Sequence, residues 1–312
     1  YELNAIDDKL KVNLFGKHYR QKVLNTFPRF NSNATEVIDE VYQSNKDYNG
    51  YGYAISYLLI KNLNILTSAE KAIRLPNENE VFGDAGENIE PNLTIEPETS
   101  NNYNLGFRFG RFNIKNHALT VSTNLFSRKI QNLIGFPGDA QDNQELGETI
   151  QYGNFDRETN SKGVEAEISY NFKDNFGFNF NLSKLTLQRK NLQDNIVNSP
   201  NVPLFTMNTS LRYSFNNFIQ NTARFNLFYN AYFTDEFSYK EEQGTNVAGL
   251  EEFLIPTQFI QDFGCSYVFP NKRVSISLDV KNVFDEVAYD NLRVQKPGRA
   301  FYLKLNYIIN NF

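Results

Sequence analysis

Arg273-Val274-Ser275-Ile276-Ser277-Leu278-Asp279-Val280-Lys281-Asn282 alternates apolar and polar residues throughout. Val274, Ile276, Leu278 and Val280 fall on one face of an extended chain, with Arg273, Ser275, Ser277, Asp279 and Lys281 on the other. Successive strand side chains point to opposite faces, so the stretch reads as a strand between two unlike environments. The pattern recurs. Phe205, Met207, Leu211, Tyr213 and Phe215 oppose Thr206, Asn208, Ser210, Arg212 and Ser214. Val164, Ala166, Ile168, Tyr170 and Phe172 oppose Glu165, Glu167, Ser169 and Asn171. The last segment sets Phe301, Leu303, Leu305, Tyr307 and Ile309 against Tyr302, Lys304 and Asn306, with Phe312 out of phase.

Read outward in this way, the chain holds about twelve strands of the length a tilted bilayer-crossing strand needs. They fall near 8–17, 49–60, 63–74, 101–111, 117–134, 161–172, 176–188, 205–215, 222–234, 256–269, 272–282 and 299–312. Short turns at Lys61-Asn62, Phe112 to Asn116, Lys173 to Asn175, Asn216 to Asn221 and Pro270-Asn271 alternate with long polar loops at 18–48, 75–100, 135–160, 189–204, 235–255 and 283–298. Outer-membrane barrels sort their connections this way, with short periplasmic turns and long extracellular loops. The expected fold is therefore all-β, a transmembrane antiparallel barrel wall with its C-terminus periplasmic. Tyr51, Tyr53 and Tyr57 suit an interfacial aromatic girdle, although cross-strand packing in a soluble sheet gives the same pattern. Within the first long loop, Thr35 is placed to cap a short helix over Glu36 to Tyr42.

Composition narrows the function classes. A net charge of −5 and a pI near 5.3 leave no basic face for nucleic acid. Mean hydropathy is −0.51, and no apolar run reaches helix-spanning length, which says nothing against strands that expose only alternate residues to lipid. The lone Cys265 excludes an intramolecular disulfide and reads as a small apolar strand residue. His18 and His117 are the only histidines, so no Cys/His metal spacing exists, and a carboxylate-only site in a loop stays open. No metal, cofactor or catalytic residue is assigned. Asp7-Asp8, Glu241-Glu242, Glu251-Glu252 and Asp285-Glu286 read as solvated charge. His117 is expected at a periplasmic turn and His18 at an extracellular strand end, which leaves the serines without an imidazole partner. The chain starts at Tyr1 with neither an initiator Met nor a signal peptide, so it is expected to be a processed product or part of a longer polypeptide.

Several segments carry a family likeness. Glu70-Lys71-Ala72-Ile73-Arg74-Leu75-Pro76 ends a strand before a long loop. Leu93, then Glu96-Pro97-Glu98-Thr99-Ser100 through Tyr103 and Gly106, enters the next. Asn124 to Ile134, Tyr152-Gly153-Asn154, Gly163-Val164-Glu165-Ala166-Glu167, Val280-Lys281-Asn282-Val283-Phe284-Asp285 and Pro297-Gly298-Arg299-Ala300-Phe301 follow in order. Over residues 70–312 this succession resembles the β-barrel of TonB-dependent outer-membrane receptors, while the first 70 residues match only in general pattern. The resemblance implies that residues 1–312 are the C-terminal portion of a barrel of about 22 strands. A plug domain would lie upstream of Tyr1. It also implies TonB-driven uptake of a scarce ligand, whether siderophore, haem, cobalamin, glycan or peptide. Arg108, Glu165, Glu167, Arg212, Arg224, Asp279, Lys281 and Lys304 would then face the lumen and plug. Tyr232, Phe237, Tyr239, Tyr289 and Arg293, in or near the long loops, are the candidate ligand contacts. The implied partners are outer-membrane lipid, the plug of the same receptor and the TonB complex. The Asn-rich, Trp-free composition points to an AT-rich Bacteroidota genome, where a surface lipoprotein is a further partner. A self-contained passive twelve-stranded pore, an outer-membrane hydrolase using His117, and a soluble β-sandwich or propeller are the rival readings.

Overall fold

A computed structural model describes residues 1–30, 36–86, 88–136, 150–190, 195–199, 201–239, 253–291 and 294–309. Fourteen strands make one sheet: β1 (Glu2–Ala5), β2 (Leu10–Phe30), β3 (Val37–Ile60), β4 (Leu63–Arg74), β5 (Glu98–Ile114), β6 (His117–Gln131), β7 (Thr159–Phe172), β8 (Phe176–Lys190), β9 (Ile196–Asn198), β10 (Phe205–Asn216), β11 (Arg224–Thr234), β12 (Gln258–Val268), β13 (Val274–Lys281) and β14 (Ala300–Tyr307). Each strand pairs with its chain neighbour, except that β9 pairs off the path with β8 and leaves β8 beside β10. All twelve expected strands are present, joined by the short β1 and β9. Among the described residues the chain forms two compact units. The first is Tyr1–Ile55, Thr67–Tyr103 and Ser127–Ser161, and the second is Ser56–Leu66, Asn104–Phe126 and Lys162–Phe312.

In the second unit the strands form because their side chains divide cleanly between faces, and their pairing is held by backbone ladders that satisfy every second N–H and C=O across each neighbour. The β10–β11 ladder runs unbroken from Thr206↔Thr234 to Asn216↔Arg224. The β11–β12 ladder runs from Arg224↔Val268 to Thr234↔Gln258. Aromatic pairs ride on both ladders, Tyr229 with Phe263 at 4.8 Å across β11–β12 and Phe205 with Phe233 at 5.6 Å across β10–β11. Each such pair adds roughly 0.5–1 kcal/mol. The short turns are tight because polar residues accept left-handed backbone there, as at Asn62 (φ 70) and Asn217 (φ 55). Each turn is tied to its neighbour. Gly110 N donates to Asn62 O, Lys173 N to Asn116 O, and Ser214 N to Asn175 O, each at 2.7 Å.

In the first unit β2 and β3 run far beyond the expected strands. Residues 18–30 and 37–48 are strand where the sequence pattern gave a loop, and His18 lies within β2 rather than at a strand end. The helix expected over Glu36 to Tyr42 is also absent; Val37 to Tyr42 open β3, and Thr35 lies outside the described residues. Val37, Ile38 and Val41 are β-branched and suit a strand as well as a helix face. Gly52 permits the close pairing at this end, since a Cβ there would stand 2.6 Å from Ala69 O and 2.8 Å from the Phe15 ring. The alternation of the last strand holds to Tyr307, and Phe312 lies outside the described residues.

Candidate functional site

In the second unit, register carries the two-faced pattern from strand to strand. Phe176 pairs with Tyr213, Tyr213 with Leu227, Leu227 with Cys265, Cys265 with Leu278 and Leu278 with Leu303. The next row is Phe178, Leu211, Tyr229, Phe263, Val280 and Phe301. This apolar face is not covered: Phe263 is 45 %, Phe301 69 % and Leu303 77 % exposed. Cys265, half-buried, belongs to this face.

The other face is hydrophilic. One row reads Gly177, Arg212, Phe228, Gly264, Asp279 and Tyr302, and another Ser214, Asn226, Ser266, Ser277 and Lys304. Three of its polar side chains are bonded along one row. The buried Ser214 hydroxyl donates to Asn226 Oδ1 at 2.7 Å, and Asn226 Nδ2 donates to Ser266 Oγ at 3.0 Å. Gly264 is the residue that leaves room for the Asp279 carboxylate, which a Cβ there would strike. Arg108, Glu165 and Glu167 line a concavity of about 840 Å³ with Asn124, Asn181 and Asn208. Asn124 Nδ2 donates to Glu165 Oε2 at 3.4 Å.

The eight residues read as lumen-facing therefore separate into settings. Arg108, Glu165 and Glu167 share the concavity, and Arg212, Asp279 and Lys304 lie on the polar rows. Lys281 donates to Asp262 Oδ2 at 2.8 Å. Arg224 sits at the turn end of β11, where its Nη2 donates to the Asp174 carbonyl at 2.8 Å. The sequence reading missed Asp262. It is 7 % exposed and also accepts from Asn282 N at 2.9 Å. Asn282, itself buried, bonds both Glu286 N and Glu286 O, and Asp285 Oδ1 accepts from Arg299 N at 2.7 Å. Gln258, also buried, accepts from Tyr289 N at 2.9 Å. The Asn282-to-Asp285 motif is thus part of a polar clamp that folds residues 282–291 against β12.

Of the loop candidates, Tyr232 stands on β11 in the Asn208 row, 41 % exposed. Phe237 is half-buried in a short ladder with Ile255, and Tyr239 N donates to Phe253 O at 2.9 Å. Tyr289 begins a ladder with Gln295. Arg293 lies outside the described residues. No hydrogen bond or ring contact joins any two of these four aromatics among the described residues. Neither histidine has a serine partner there. His117 Nδ1 meets Tyr170 Oη at 2.7 Å, and His18 meets Asn49 Oδ1 at 2.9 Å.

The first unit holds a folded loop platform that the sequence reading did not anticipate. A five-residue helix α1 (Glu78–Phe82) starts at Asn77, whose side chain accepts from Glu80 N while Glu80 Oε2 accepts from Asn77 N, a reciprocal cap. Val81, Ile95 and Val23 form a small core with Tyr42, Leu93, Ile134 and Tyr152 against it. Arg74, at the loop end of β4, binds Glu80 at 3.0 Å and Glu98 at 2.7 Å. Glu98 also accepts from Ile134 N at 2.9 Å, and Glu96 pairs with Lys46 at 3.0 Å. Asn154 Nδ2 bonds Glu96 O and Asn132 O, each at 2.8 Å. Residues 75–86, 88–100, 132–136 and 150–154 are therefore one polar lattice over a small core. The Glu96-Pro97-Glu98 signature supplies both carboxylates, and Pro97 is fully buried between them.

Comparison with known proteins adds the family. The model of the TonB dependent receptor-like β-barrel matches residues 5–283. Comparison with curated proteins gives no match. Among solved structures, the chain resembles the copper transporter OprC, with a TM-score of 0.71 and 14% identity over 98% of this chain and 46% of that one. It resembles the siderophore receptor PiuA from Acinetobacter baumannii, with a TM-score of 0.65 and 18% identity over 96% and 41%. It also resembles the ferric-catecholate import receptor Fiu from E. coli K12, with a TM-score of 0.64 and 14% identity over 96% and 42%. The chain spans less than half the length of these structures, and at such identities the likeness is one of fold. With the family model covering most of the chain and the fold matching along nearly all of it, the chain belongs to the TonB-dependent receptor β-barrel family of the bacterial outer membrane.

Proposed function

We propose that residues 1–312 are the C-terminal portion of the barrel of an outer-membrane receptor that takes up a scarce ligand with TonB-supplied energy. The observation that carries this is the in-register apolar face from β8 to β14, which is left open rather than buried. A contiguous open apolar face of this extent needs lipid or a partner against it. The polar rows then face a lumen. There Arg108, Glu165, Glu167, Arg212, Asp279, Lys281 and Lys304 form a hydrated wall for a plug domain of the same receptor. Arg224 fixes the rim below them. In this reading the long loops are extracellular and the short turns periplasmic, which the alternation of their lengths supports.

Tyr232, Phe237, Tyr239, Tyr289 and Arg293, in or near the long loops, are the proposed ligand contacts. The similar structures are a copper transporter, a siderophore receptor and a ferric-catecholate import receptor, and the ligand classes proposed here are a siderophore, cobalamin, glycan or peptide. The reading is one of binding and transport, not catalysis.

Conductance of the full-length protein in a planar bilayer tests it without knowledge of the ligand. A plugged receptor is expected to hold the membrane closed at modest voltage. A steady open channel contradicts the reading and favours a passive pore.

A further inference from the structure

The chain carries a net charge of −5, yet the short-turn rim of the second unit is strongly basic. Its turns and the strand ends beside them hold Lys61, Arg111, Lys115, Lys173, Arg224, Lys272 and Arg273, against the single carboxylate of Asp174. Lys61, Arg111, Lys115, Lys173, Lys272 and Arg273 are exposed, and none forms an ion pair among the described residues. Arg224 is half-buried and spent on the Asp174 carbonyl. The turns form one continuous edge. Besides the backbone ties between successive turns, Thr222 Oγ1 reaches Pro270 O at 3.4 Å.

Directly beside this basic edge lies a belt of rings. His117 packs on Phe172 at 4.7 Å, Tyr213 on Phe215 at 4.6 Å, Phe218 on Phe225 at 4.8 Å and Tyr267 on Phe269 at 5.0 Å. Lys173 Nζ stands 5.4 Å from the Phe172 ring centre. The belt is continuous with the open apolar face, and Phe218 and Ile219 carry it into a turn, Ile219 at 82 % exposure. Aromatic rings settle at the boundary between hydrocarbon and headgroups. Cationic groups one step beyond such a belt lie at the depth of lipid phosphates, where anionic lipid attracts them.

We propose that this rim is a binding surface for anionic phospholipid phosphates of the adjoining leaflet. The occupant is membrane lipid, because the basic groups border the apolar face rather than forming an enclosed pocket for a free anion. The proposal rests on the membrane-spanning reading above. It adds that the protein selects the lipids around its short-turn end by charge.

The test reconstitutes the full-length receptor with trace spin-labelled phosphatidylglycerol or phosphatidylcholine and measures the motionally restricted lipid fraction. The expected result is a preference for phosphatidylglycerol of about fivefold or more. It should fall in high salt and be lost in a K115Q/K173Q/K272Q/R273Q variant. Equal association of the two lipids overturns the proposal, as does a preference that survives both salt and the four substitutions. The wild-type salt titration decides the matter even if the variant fails to fold. Absence of a restricted fraction for either lipid instead overturns the membrane reading itself.

Discussion

Replacing Leu278 with arginine is expected to destabilise the receptor by about 2–4 kcal/mol, and Ser277→Arg by far less. The two residues are neighbours on β13. Leu278 stands in the apolar row between Cys265 and Leu303, and Ser277 in the polar row between Ser266 and Lys304. A guanidinium at Leu278 must leave water for hydrocarbon, whereas one at Ser277 meets a hydrated wall. Urea unfolding of the full-length receptor in phospholipid vesicles reads the difference as a shift of midpoint at constant slope. Equal tolerance of the two substitutions would show that β13 does not separate lipid from water.

The second large effect is expected at Asp262. Its carboxylate is nearly buried and accepts from both Lys281 and the backbone of Asn282. Asp262→Ala leaves the Asn282 N–H without its acceptor, which costs about 2 kcal/mol. The Lys281 ammonium is half exposed and returns to water, so it adds little. Because Asn282 also clamps Glu286, the loss is expected to be local. Amide exchange over residues 282–291 should quicken about 30-fold, with the rest of β12 and β13 protected. Asp262→Asn keeps an oxygen for Asn282 N and should show a smaller change. Unchanged exchange in Asp262→Ala would sink the clamp.

These expectations follow from features of unequal visibility in the sequence. The strands of the second unit were legible because hydrocarbon and water impose a strict two-residue period on Arg273 to Lys281 and its counterparts. The long extensions of β2 and β3 were not. There no two-residue period divides apolar from polar, since the exposed Leu24 adjoins the buried Val23 and Val37 adjoins Ile38, while Arg20 pairs with Asp47 across the two strands at 2.8 Å. Such pairs join residues far apart in the chain and leave no local period. The same holds for Arg74 and Lys46, which meet the Glu96-Pro97-Glu98 carboxylates from other strands. The motif was visible as a family likeness, but its partners were not. Of the aromatics chosen in or near the loops for their residue type, Tyr232 stands on the strand expected over 222–234, and Phe237 and Tyr289 sit in separate short ladders. Residue type indicates what a loop can bind, whereas the fold decides which residues meet.

The most direct test of the account is cysteine scanning along β13. In the full-length receptor, with Cys265 replaced by serine, single cysteines at each position from Val274 to Lys281 would carry a bimane fluorophore, read in vesicles containing brominated lipid. The account predicts strong quenching at 274, 276, 278 and 280, with weak quenching at 275, 277, 279 and 281. A flat profile, or quenching in the opposite phase, would contradict a barrel wall with its apolar face in lipid.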